Sequence, residues 1–369
     1  SDIHNDFQVN DPRNGVSPVY LSLLDEAYER ANEDYETSHT RGERGVVIGP
    51  TEGAFRHTVK GLRNARRIRN ILNGDNITSI KIALMTSDAH IKILQNCSMY
   101  LDLAGEVDVE SIAEGCRLWD SGALLDDLIP TIDDEYKSND DHAVGNTSFM
   151  MLKNMASYRH GPYTMNLFVD TDAYPCPGFD KLFDLVKNPG KSKAWQLPIT
   201  PVDADVAVGM EQFKHGPGSK HHFVPGDPKI LSGWFTFTSR NDGVVLFHFK
   251  RKIAHAFAHF LPLVTEHVYQ HVGTKEVKVV NDQTPFAIAM YLFRRLVPEF
   301  LETPIPMHSS CRSYPGKAYA GTDGFINGML PIQQDGKHCS ECKCSPCLVS
   351  HFASEWLLNI DGKKGWESE

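Results

Sequence analysis

The sequence predicts an α/β protein with a mostly parallel central sheet, helices on both of its faces and a loop-rich, cysteine-containing C-terminal segment. Three observations carry this expectation. Short runs of Val, Ile, Leu and Phe stop abruptly at Gly, Pro or Asp. Segments with helical spacing of apolar residues lie between those runs. The two kinds alternate along most of the 369 residues, as they do where helices cover both faces of a parallel sheet.

Residues 1–43 are polar, with a helical patch at "LSLLDEAYERANEDY" from Leu21 to Tyr35, and read as an N-terminal extension. "RGVVIGPTEG" is a buried strand, Val46 to Ile48, breaking into a Gly/Pro loop. In "AFRHTVKGLRNARRIRNIL", Phe55, Val59, Leu62, Ile68 and Leu72 recur at helical spacing. "SIKIALMTSD" is the next strand. A helix and an acidic stretch to about Asp141 follow. "TSFMMLKNMASY" is a helix carrying Met150, Met151 and Met155, and it leads into the strand "YTMNLFVDTD". "DADVAVG", Asp203 to Gly209, reads as a short strand, and 214–230 as a loop. "GWFTFTSRNDGVVLFHF" reads as two strands around a turn at Arg240-Asn241-Asp242-Gly243. "RKIAHAFAHFLPLVTEHVYQHV" and "NDQTPFAIAMYLFRRL" are helices. Residues 44–369 therefore read as one domain, with a first half at 44–200 and a second at 201–369.

A net charge of −10 argues against nucleic acid as the main partner, since phosphate backbones call for a basic face. No run of about eighteen apolar residues offers a membrane span. The first residue is Ser rather than Met, so an N-terminal targeting or anchor segment is expected to have been removed. Three N-x-[ST] triplets, at Asn76, Asn96 and Asn146, and eight cysteines point to an oxidising, secretory compartment. Four of those cysteines, Cys339, Cys342, Cys344 and Cys347, crowd into "HCSECKCSPC". Their spacing allows disulfides or tetrahedral thiolate zinc. Disulfides are favoured in an oxidising compartment, with Cys311 as a candidate partner.

Asp170 and Asp172 stand where the strand "LFVDTD" ends, at the edge of the sheet where ligands bind in α/β folds. Two carboxylates two residues apart share a direction only if the chain bends, and Pro175, Pro177 and Gly178 follow. Hard divalent cations prefer oxygen ligands and keep positions open for phosphate oxygens.

The order of "GVVIGPTEG", "KIALMTSD", "LFVDTDAYPCPGFDKLF", "SRNDGVVLF" and "NDQTPFAIAMYLF" resembles the nucleotide-diphospho-sugar transferases of the GT-A fold, over roughly residues 44–356. The resemblance implies a GT-A-like sheet, with 44–200 binding the nucleotide and 201–369 the acceptor. It implies that Asp170 and Asp172 form the D-x-D that holds Mn²⁺ (or Mg²⁺) on the donor diphosphate, with His351 of "LVSHFASEW" as third ligand. Gly49, Pro50 and Thr51 match the loop that meets base and ribose. Asn241 and Asp242 match the acceptor-side segment. Asp282 and Gln283 match the D-Q pair near the transferred sugar, so that Asp242 and Asp282 are the candidate catalytic residues. Asp242 departs from the small residue usual after that Asn, and "HFASEW" lacks a following Gly and Lys.

The expected function is metal-dependent transfer of a hexosyl or pentosyl group. The donor is a nucleotide sugar, UDP-sugar favoured over GDP-sugar, and the acceptor a hydroxyl of a glycan or glycoprotein in the Golgi lumen. The rival readings are a sugar-nucleotidyltransferase, against which "GPTEGAFRH" lacks a Gly-rich, Arg/Lys-bearing loop, and a non-catalytic glycan-binding protein. The pairs His255/His259 and His267/His271 have zinc-compatible spacing but no completing ligand, and read as structural. Arg63, Arg66, Arg67 and Arg69 read as a solvated helix face.

Overall fold

The computed structural model describes residues 16–35, 41–51, 54–101, 108–120, 124–131, 152, 154–171, 173–175, 178–186, 204–210, 240–271, 283–305 and 349–351. The helices are α1 (Pro18–Asp34), α2 (Phe55–Gly74), α3 (Asp88–Gln95), α4 (Cys97–Leu101), α5 (Val109–Asp120), α6 (Leu182–Val186), α7 (Lys252–His271) and α8 (Gln283–Leu296). The strands are β1 (Arg44–Thr51), β2 (Ile80–Thr86), β3 (Asp127–Pro130), β4 (Met165–Val169), β5 (Ala173–Pro175), β6 (Val206–Met210), β7 (Arg240–His248), β8 (Glu302–Ile305) and β9 (Val349–His351).

Seven strands form one sheet in the order β3-β2-β1-β4-β7-β6-β8, and β5 pairs with β9 in a small second sheet. The neighbours β3/β2, β2/β1, β1/β4 and β6/β8 are parallel, while β7 runs antiparallel to both β4 and β6. The expected α/β architecture with a mostly parallel sheet is therefore observed. Alternation along each strand feeds two cores. Val47, Ala83, Met85, Phe168, Val245 and Phe247 point into a core shared with α1, α7 and α8. Val46, Ile48, Ile82, Leu84, Leu167, Val169, Val244 and Leu246 point into a core shared with α2, α5 and α6. Leu62, Ala65, Ile68 and Leu72 of α2 are fully buried there.

Helix α1 is part of the first core. Tyr20, Leu24, Ala27 and Ala31 form a stripe at helical spacing and are all buried. Small Ala27 and Ala31 let α1 lie close to α7, and Asp34 reaches His259 Nε2 at 2.8 Å. Beside it the Tyr35 hydroxyl donates to the Lys250 carbonyl, at 2.8 Å. His255 Nε2 lies 3.0 Å from the Phe249 carbonyl, so His255 and His259 serve packing, as expected. Arg63 and Arg69 are not the solvated face expected of them but half-buried, because they pair with Glu114 and Asp126 on neighbouring segments.

Two sequence expectations about strand ends are corrected here. Gly49, Pro50 and Thr51 are not a loop after the first strand but its last residues, because Thr51 still pairs with Thr86 of β2 across an irregularity. Residues 240–243 are not a turn between two strands but the first residues of β7. Arg240 and Asn241 pair with Met210 and Gly209 of β6, across an irregularity at Val208/Gly209. The pairing partner on the neighbouring strand overrides the turn preference of Asn-Asp-Gly. Strands β3, β5, β8 and β9 are additional to those read from the sequence.

A disulfide joins Cys97 to Cys116, tying α4 to α5. The 339–347 cysteine cluster lies outside the described residues. Asn76 and Asn96 are exposed, and Asn146 also lies outside the described residues. No described helix is long and apolar enough to cross a membrane.

Candidate functional site

The parallel strands β1, β2, β3 and β4 end at one edge of the sheet, at Thr51, Thr86, Pro130 and Val169. Because β7 is antiparallel to β4, its first residues lie at that same edge. Of the expected site residues, Gly49, Pro50, Thr51, Asp170 and Asp242 stand at this edge.

Asp170 follows directly on β4 and is half-buried. Its backbone is held on both sides. The Asp170 N–H donates to the Gly243 carbonyl at 2.9 Å, continuing the β4/β7 ladder, and its carbonyl accepts from the Ala173 N–H at 2.9 Å. The second bond joins Asp170 to the residue three positions on, the spacing of a turn hydrogen bond. That bond marks a bend between Asp170 and Ala173, upstream of the prolines expected to supply it, while Asp172 itself lies outside the described residues.

Two further contacts converge on this turn. Asn64 of α2 donates its side-chain N–H to the Ala173 carbonyl at 2.8 Å. Strand β9 runs antiparallel to β5, with His351 opposite Ala173 and Val349 opposite Pro175. The backbone of His351 therefore lies beside the turn, although 178 positions separate it from Ala173 in the chain. Asp242 sits on the neighbouring strand, 7% exposed, and its carbonyl accepts from the buried Tyr158 hydroxyl at 3.0 Å.

A second polar cluster occupies the same edge at β1 and β2. Gly49 has φ +113, and an added Cβ would stand 2.6 Å from the Met85 carbonyl, so only glycine suits the position. Beyond it, the Thr51 and Thr58 hydroxyls lie 3.2 Å apart, and those of Thr58 and Thr86 2.9 Å. His90 Nδ1 lies 2.7 Å from the Thr58 hydroxyl and 3.2 Å from that of Thr86. The Phe55 ring packs edge-on against the His90 imidazole, with 5.2 Å between centroids. These hydroxyls satisfy one another in a space closed to water. The Ser87 hydroxyl accepts from the His90 N–H and so caps α3, which fixes where His90 stands.

Sequence reasoning named Thr51 but missed Thr58, Thr86, His90 and Asn64. The one local signal was the Ser-Asp-x-His that follows β2, a helix start placing an imidazole one turn into α3. Gly49, Pro50, Thr51, Asp170 and Asp242 stand at one sheet edge. Asp172, Asp282 and the side chains of Asn241, Gln283 and His351 lie outside the described residues.

Among the described residues, no three His, Cys, Asp or Glu side chains gather into a metal-ligating group. Of the residues expected to hold a divalent cation, Asp170 is the one whose side chain is described, and a carboxylate is a ligand type that hard cations take. Asp170 offers carboxylate oxygens from a half-buried position, on a backbone held at both ends, and the strand bearing an imidazole lies alongside.

No family model matches the chain, and no curated protein matches it by sequence. Solved structures similar in outline include the glycosyltransferase GlyE of Streptococcus pneumoniae TIGR4. That match has 16% identity and a TM-score of 0.38, and covers 86% of this chain and 56% of that one. Mouse xyloside xylosyltransferase 1 is similar at 11% identity with a TM-score of 0.41, over 85% of this chain and 98% of that one. The chain thus spans little more than half the length of GlyE.

Proposed function

We propose that the chain is a metal-dependent glycosyltransferase that moves a sugar from a nucleotide-sugar donor to a hydroxyl of a glycan or glycoprotein. The observation that carries the proposal is the Asp170–Ala173 turn. A strand buried on both faces runs into Asp170, whose carbonyl accepts from the Ala173 N–H, and this stretch is met by α2, β7 and β9. A rigid acidic turn at the carboxyl edge of a largely parallel sheet suits a cation bridging to a diphosphate.

In this reading Asp170, Asp172 and His351 hold Mn²⁺ or Mg²⁺. When bound, the cation supplies counter-charge to the departing nucleoside diphosphate. Gly49, Pro50 and Thr51 meet the base and ribose, with UDP favoured over GDP. Asp242 and Asp282 stand toward the transferred sugar and the acceptor, where a carboxylate can orient a hydroxyl or accept its proton. The Cys97–Cys116 disulfide suits a secretory enzyme working in the Golgi lumen.

Incubation with UDP- and GDP-sugars and Mn²⁺ tests the proposal. Release of nucleoside diphosphate, by hydrolysis or transfer, is expected with at least one donor. Formation of nucleoside triphosphate from the sugar nucleotide and pyrophosphate would identify a nucleotidyltransferase instead. Absence of both turnover and nucleotide binding would identify a binding protein.

A further inference from the structure

We infer that Asn64 is a positioning residue for the acidic turn at the end of β4, and that it sets the affinity of that turn for a divalent cation. The inference rests on the functional reading above.

Asn64 lies in the middle of α2 and is fully buried. Its neighbours on the buried face, Leu62, Ala65 and Ile68, are apolar and equally buried. Asparagine is a poor mid-helix residue, because its side chain competes for backbone hydrogen bonds. Burying a carboxamide also costs free energy unless its polar atoms are paired. Here one half is paired, Nδ2 with the Ala173 carbonyl at 2.8 Å. The other half, Oδ1, has no partner among the described residues. Helix packing alone would favour Leu at this position. The polar contact that Asn64 makes instead lands 109 positions away in the chain, on the last residue of the turn.

That contact completes the bracing of the turn. Ala173 gives its N–H to Asp170, receives Asn64 on its carbonyl, and stands opposite His351. Helix α2 is a stiff base for the contact. It is seated on β1 and β2 by its apolar face, and the adjacent Arg63 is held by Glu114 through two 2.8 Å bonds. Ligands held to within about half an ångström need such a shell behind them. Removal of a group that orients metal ligands typically weakens metal affinity by about 10–100-fold.

The test is a Mn²⁺ binding isotherm, read from the electron paramagnetic resonance of free Mn²⁺, with no donor or acceptor present. Asn64→Leu removes the hydrogen bond while keeping the branching and the number of side-chain heavy atoms, with somewhat larger volume. Asn64→Asp keeps the shape and loses the donor. Each isotherm is normalised to the folded fraction and recorded alongside a thermal melt, with Asp170→Asn and Asp172→Asn in parallel. The expected result is a Mn²⁺ affinity at least about tenfold weaker in both Asn64 variants. Asn64→Leu should melt at or above the wild-type temperature, and excess Mn²⁺ should restore part of the donor-hydrolysis rate. Wild-type Mn²⁺ affinity in the folded fraction of either Asn64 variant, with the aspartate variants impaired, overturns the role of Asn64 alone. Wild-type affinity in both aspartate variants overturns the metal site, and this inference with it.

Discussion

His255 makes the folded state acid-sensitive by an amount that can be worked out. It stands on α7, 2% exposed, with its ring edge-on to Tyr35 at 4.9 Å and Nε2 against the Phe249 carbonyl. Burial pushes its pKa down to about 4, against the opposing pull of Asp34 and the bond to Phe249, while His259 pushes the same way as burial. An unfolded histidine titrates near 6.5. As pH falls through about 6.5 the unfolded chain takes up the proton first. Stability from the neutral imidazole is thus complete above that pH, is lost below it, and levels off under about pH 4. Between pH 7 and pH 5 the loss comes to about 2 kcal/mol from this one group. Urea melts at the two pH values measure it. His255→Gln retains an amide donor and cannot titrate, so its pH 7 to pH 5 loss should be smaller than wild type by about 2 kcal/mol. Equal losses in wild type and variant would show that His255 is not held neutral. The neighbourhood makes the variant comparison necessary. Asp34, whose pKa lies below the usual carboxylate range, adds an acid-labile contribution of its own at lower pH.

The other predictions concern the proposed site. UDP or GDP should raise the melting temperature in the presence of Mn²⁺ or Mg²⁺ and not in EDTA, by mass action on the folded state; equal stabilisation in EDTA would count against a metal-bridged diphosphate. Asp172→Asn should keep its circular dichroism spectrum and lose most transfer activity, because an amide oxygen is a weaker ligand for a hard cation. Retention of activity within a few-fold of wild type would remove it from the site. His351→Ala should weaken apparent Mn²⁺ affinity by roughly 10–100-fold, with partial recovery in excess Mn²⁺. An unchanged Mn²⁺ response with a lower melting temperature would make His351 structural.

The sequence showed most clearly the elements that are apolar on both faces. Strands β1, β2 and β4 are continuous hydrophobic runs because helices cover the sheet from both sides, and such runs are read locally. Strand β3 is four residues long, "DLIP", with a charge at its start and a proline at its end. It is a strand because β2 offers it an edge to pair with, and nothing local announces that. Strands β5 and β9 are three residues each and exist through one another. Helix α1 looked like a polar extension because its buried stripe is partly alanine, which carries little hydrophobic signal yet permits the closest helix packing.

The same distinction runs through the candidate site. Asp170 and Gly49 announce themselves, since a carboxylate ending a buried strand and a glycine before proline at another strand end are local anomalies. What makes the turn rigid is not local. Asn64 reads as one more polar residue among the arginines of α2, and its meaning appears only when the Ala173 carbonyl is found beside it. Tyr158 reads as the end of a methionine-bearing helix, and its meaning appears only in its bond to Asp242 across 84 positions of chain. Residues that perform chemistry are drawn from a few types and leave a pattern. Residues that hold them are chosen by three-dimensional fit, and any type with the right donor can serve. A search for further determinants of this site is therefore better directed at buried polar side chains with long-range backbone partners than at additional motifs. Asn64 and Tyr158 are two such side chains at the β4–β7 end of the sheet, Asn64 on the Ala173 carbonyl and Tyr158 on that of Asp242.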